Sequence, residues 1–86
     1  MNDQSFKVGN HTLYNGMYDV LRRNTNRPDT MLGVLIVRSN GLEWTLKLKG
    51  GGYHNSDFHS NGLTNELPSI MGVDVKELVF SSLGCI

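Results

Sequence analysis

The sequence predicts an α+β domain: an antiparallel sheet of about four strands, made of two β-hairpins, with two short helices, in the order β-β-α-β-β-α. Three observations carry this expectation. Two segments double back on a glycine–asparagine pair, at Gly9-Asn10 and at Asn40-Gly41, with strand-like residues on either side. Apolar residues recur at helical spacing in two other places, near Met17 and near Val75. The 86 residues are enough for one core and no more, so residues 1–86 are read as a single small domain.

Ser5 to Tyr14 reads as the first hairpin. A two-residue turn at Gly9-Asn10 sets Val8 opposite His11 and Phe6 opposite Leu13 on one face, leaving Lys7 and Thr12 on the other. Met17, Val20 and Leu21 then fall at i, i+3, i+4 behind Asn15 as N-cap, with Arg22 and Arg23 in the last turn and Pro28 beyond. That spacing predicts a helix of about two turns, stable only when docked.

The second hairpin is the strongest pattern in the chain. MLGVLIVR leads into Ser39-Asn40-Gly41, and LEWTLKLK alternates with period two. A turn at Asn40-Gly41 sets Arg38 against Glu43, Val37 against Trp44, Ile36 against Thr45, Leu35 against Leu46 and Val34 against Lys47. One face (Leu35, Val37, Trp44, Leu46, Leu48) is core; the reverse mixes Arg38, Glu43, Thr45, Lys47 and Lys49 with Val34 and Ile36. Gly50–Gly52 then read as a release from the sheet into a long loop.

Asn65 to Met71 predicts one helical turn, with Pro68 near its start and Gly72 ending it. Asp74-Val75-Lys76-Glu77 has capping-box spacing, and Val75, Leu78, Val79 and Leu83 follow on one helical stripe, so 74–83 is expected to be helix; a strand through Glu77-Leu78-Val79-Phe80 is the rival. The expected core is Phe6, Val8, Leu13, Val20, Leu21, Leu35, Val37, Trp44, Leu46, Leu48, Leu78, Val79 and Leu83.

Composition excludes several classes. Hydrophobic residues are 38% and charged residues 19%, which is neither a disordered nor a strongly charged chain. The single cysteine, Cys85, allows no internal disulfide, and MNDQSFKVGN has no basic-then-apolar leader, so a cytoplasmic setting is expected. The longest apolar run, Met31 to Val37, is too short to span a bilayer, and no membrane association is expected. Net charge is zero but uneven: residues 1–49 hold seven of eight Lys/Arg and four of eight Asp/Glu, and the remainder reverses that balance. The molecule is electrically two-ended if the halves stay apart.

Candidate chemistry centres on KGGGYHNSDFHSNG, residues 49–62. His54, Asp57 and His59 are metal-ligand types, but all three lie on one loop without a rigid frame, so no metal and no cofactor are expected. The glycine triplet lacks the Lys and Ser/Thr that follow the last glycine of a phosphate-binding loop. Cys85 has no partner implied by spacing, no G-x-S-x-G surrounds Ser81 or Ser82, and the carboxylates are scattered. No catalytic residues are assigned, and the chain is read as a non-enzyme.

Two binding functions remain. The leading expectation is a small protein-binding or regulatory module that contacts another protein through Tyr53, Phe58, His54, His59, Val34, Ile36, Lys47 and Lys49. Its general build (very small, single-domain, without motifs) is similar to that of phage accessory proteins that bind and inhibit host enzymes, and a homodimer is compatible with it. The alternative is nucleic-acid binding by Arg22, Arg23, Arg27, Lys47 and Lys49 beside stacking aromatics, or by a helix-turn-helix over Leu67 to Leu83. A sequence pI near 6.8 and Lys76 as the sole base of the would-be recognition helix weigh against it.

Overall fold

The structure of the chain is a computed structural model that describes residues 6–38, 43–55 and 63–84. Among the described residues seven strands dominate: β1 (Phe6–Val8), β2 (His11–Leu13), β3 (Gly16–Arg22), β4 (Thr30–Arg38), β5 (Glu43–Leu48), β6 (Tyr53–Asn55) and β7 (Leu78–Gly84). One helix, α1 (Leu63–Met71), and one 3₁₀ turn (Val75–Glu77) precede β7. Strands β1 and β2 form a separate two-stranded ribbon, and the other five make one antiparallel sheet in the order β6-β5-β4-β3-β7.

The expectation of a four-stranded α+β domain with two helices is therefore corrected to a mostly β domain. Residues 16–22, expected as helix, are an interior strand of the sheet, paired with β4 on one side and β7 on the other. A strand covered on both edges and apolar on both faces puts Met17 and Leu21 outward and Tyr18 and Val20 inward. In a seven-residue window that two-sided pattern mimics i, i+3, i+4 spacing. The predicted 74–83 helix fails for a related reason. Asp74 does cap a turn, its carboxylate accepting from the Lys76 amide at 3.2 Å, but the turn ends at Glu77. Leu78, Val79 and Phe80 then follow β-propensity and pair with Arg22, Leu21 and Val20, so the rival strand is the one that forms, and no helix-turn-helix exists.

Both hairpin registers stand as expected. Phe6 pairs with Leu13, Lys7 with Thr12 and Val8 with His11, and the Lys7 ammonium donates to Thr12 Oγ1 at 2.9 Å. Strands β4 and β5 pair from Arg38–Glu43 to Gly33–Leu48; the Asn40-Gly41 turn itself lies outside the described residues. The glycine triplet is corrected in role. It turns the chain back, with Leu48 N–H donating to Gly52 O and Gly51 N–H to Leu48 O, and β6 re-enters the sheet beside β5. Gly51 and Gly52 hold φ of 103° and 99°, which side chains resist.

The core lies on one face of the sheet. Tyr18, Val20, Leu35, Val37, Trp44, Leu46 and Leu78 meet Val8 and Leu13 of the ribbon and Leu67 and Val73 of the α1 segment in one buried cluster. The link from edge strand β6 to opposite edge strand β7 carries α1, which brings Leu67 into that cluster. Pro68 sits in the helix interior, because α1 begins at Leu63, earlier than expected. Of the expected core, Leu21 and Val79 are half-buried on the opposite face, Leu83 is 51% exposed, and the Phe6 side chain lies outside the described ones.

Candidate functional site: an open sheet face and a cationic hollow

The outer face of the sheet is ordered in cross-strand rows. One row runs Tyr53, Lys47, Val34, Asp19, Ser81. The next runs Asn55, Thr45, Ile36, Met17, and a third runs Met31, Leu21, Val79. A polar row thus lies between two rows rich in apolar side chains. Met17, Leu21, Val34, Ile36 and Val79 are half-buried and, unlike the inner-face residues, join no buried cluster among the described residues.

Of the residues expected to bind a partner, the fold gathers Val34, Ile36, Lys47 and Tyr53 on this face. The Lys47 ammonium sits 5.8 Å from the centroid of the Tyr53 ring, and Tyr53 is 64% exposed. Thr45 Oγ1 donates to Asn55 Oδ1 at 2.9 Å, tying edge strand β6 to the sheet. Ile36, Arg38, Glu43, Thr45 and Asn55 border a shallow hollow of about 210 Å³. His54 pairs with Leu46 and so belongs to the inner side of the edge, and Lys49 lies beyond β5, its amide donating to Leu32 O. Phe58 and His59 lie outside the described residues, as does Asp57. Met17, Leu21 and Val79 were missed as members of this face because their spacing reads as helical core.

A second feature occupies the end of the sheet where β3 stops and β7 starts. Arg23 N–H donates to Glu77 O at 2.7 Å and joins the two strands there. The loop after β3 is pinned by Asn24: its amide side chain donates to Pro28 O and Thr30 Oγ1, and its backbone N–H donates to Asp29 Oδ1. Asn26 takes a φ of 63°, a left-handed conformation that asparagine tolerates well. Arg22, Arg23, Arg27 and Lys76, with Glu77, Asn24 and Thr25, line an open hollow of about 640 Å³. A neighbouring hollow shares Arg23 and Lys76 and reaches His11.

The three arginines expected for nucleic-acid contact are thus together, but with Lys76 in place of Lys47 and Lys49, which do not line the hollow. Lys76 comes from the far half of the sequence, and only the β3–β7 pairing could reveal it. No helix of the described chain is long and apolar enough to cross a membrane. Comparison with protein-family models, with curated proteins and with solved structures finds no match to this chain.

Proposed function

We propose that this chain is a non-catalytic binding module for another protein and that the outer sheet face is its contact surface. The observation that carries the reading is the set of apolar side chains left half-buried on that face, beside an exposed aromatic stacked on a cation. Apolar side chains on either side of a polar row, with a large exposed tyrosine at the sheet edge, supply the mixed apolar and polar contacts of a protein interface. Inhibition of a host enzyme, in the manner of small phage accessory proteins, is one form that such binding takes.

The test is capture of partners from the native cell extract after nuclease treatment, using the wild-type chain and the double variant Tyr53→Ala with Ile36→Lys. Loss of these two contacts is expected to weaken binding by about thirtyfold, equivalent to ~2 kcal/mol. The melting temperature should fall by no more than a few degrees, since Tyr53 is exposed and Ile36 half-buried. Undiminished capture by the folded variant would remove the outer face from the mechanism.

A further inference from the structure

The cationic hollow at the end of the sheet lies apart from the outer-face rows and has its own chemistry. Four cations surround it against one lining carboxylate. That carboxylate, Glu77, accepts from Arg22 Nε at 3.0 Å. The two other described acidic residues at this end, Asp29 and Asp74, accept from the backbone amides of Asn24 and Lys76. Among the described residues no carboxylate lies within ion-pair distance of Arg23, Arg27 or Lys76. Arg23, Arg27 and Lys76 thus line one open hollow with no carboxylate in ion-pair reach among the described residues.

We propose that this hollow is a binding site for phosphate groups, held by Arg23, Arg27 and Lys76 with Arg22 at its rim. Guanidinium forks match phosphate oxygens in pairs, and an ammonium adds a point charge, so the residue set fits a tetrahedral dianion or successive diesters better than a single carboxylate. Among the described residues neither this hollow nor its neighbour is lined by Phe, Tyr or Trp, and His11 in the neighbour is the one ring near it, so the site is built to grip phosphate more than to read an attached base. The loop hydrogen bonds of Asn24 and the backbone link from Arg23 to Glu77 fix the frame from which the side chains reach. Phosphate on a small molecule and phosphate in a nucleic-acid backbone share this chemistry.

Two probes separate those sources: sodium pyrophosphate, read by the shift in melting temperature, and a labelled single-stranded 12-mer, read by fluorescence anisotropy across salt concentrations. Each is applied to the wild type, to the triple variant Arg23→Ala, Arg27→Ala, Lys76→Ala, and to the charge-keeping variant Arg23→Lys, Arg27→Lys. The triple variant is expected to weaken binding at least about tenfold at low salt and to flatten the log–log salt slope for the 12-mer by about two. The charge-keeping variant, which keeps the charge and loses two guanidinium forks, should bind between the wild type and the triple variant. Should the triple variant not fold, the three single variants take its place, each weakening binding by about two- to fivefold. Binding of pyrophosphate lost in the variant supports a small phosphorylated ligand; binding of the 12-mer alone, lost in the variant, supports a nucleic-acid backbone. Absence of binding by both probes at low salt, or binding that the folded triple variant leaves within about twofold, would overturn the proposal.

Discussion

Gly33 shows how a single missing side chain shapes the sheet. It pairs with Val20 of β3 and Leu48 of β5, and a Cβ built on it would collide with the carbonyl oxygen of Lys47. That oxygen is backbone in a paired strand and cannot swing away, so the collision must be relieved by moving strands. Gly33→Ala is expected to cost about 1–3 kcal/mol in chemical denaturation. Gly50→Ala is the control: a Cβ there meets nothing within 4 Å, and its stability should stay within about 0.5 kcal/mol of wild type. Tyr18 makes the complementary point with a full side chain. Its ring is buried, it stands edge-on to Phe80 at 6.5 Å, and its hydroxyl accepts from the Tyr14 amide at 2.8 Å. Tyr18→Phe leaves that amide without its acceptor and is expected to lower stability by about 1 kcal/mol, read as a drop in denaturation midpoint at unchanged slope.

Among the elements, β3 and β7 carry the largest departure from sequence expectation. Strand β3 is bonded along both edges, so its amides should exchange with solvent more slowly than those of edge strands β6 and β7, a ranking that hydrogen-exchange NMR checks directly. The same spectra should give strand-type shifts over 17–22 and 78–84. Helical shifts there would reverse the assignment. The contact between Arg22 and Glu77 adds little to holding these strands. Its side chains are 51% and 46% exposed, so a double-mutant cycle is expected to return less than about 1 kcal/mol. What joins β7 to the fold is instead Leu78, fully buried in the core cluster, and the backbone ladder to β3. The second hairpin was legible because a turn and an alternating pattern lie within a few residues of each other. The second partner of β3, strand β7, is some sixty residues away, and no local pattern in GMYDVLR names it.

For the whole molecule, strand β7 closes the fold by bringing the last part of the chain against the first. Residues Lys76 and Glu77 come to lie beside Arg22 and Arg23, so the two halves of the sequence meet at this end, where the condition for a two-ended molecule, halves that stay apart, does not hold. Removal of 78–86 is expected to abolish cooperative thermal unfolding, since it strips Leu78 from the core and one whole edge from β3. Circular dichroism melting measures this, and a sharp transition in the truncated chain would show that β7 is dispensable. The two hairpin registers, the inner-face core of β4 and β5, and the capped turn at Asp74 are written locally in the chain, because each depends on neighbours within one turn or one alternation. Long-range packing is what makes 16–22 and 78–84 strands, puts Met17, Leu21 and Val79 on the outer face, and brings Lys76 to the cationic hollow. In those segments the local preferences for helix and strand are close, and long-range strand pairing with burial of Tyr18, Val20 and Leu78 decides between them.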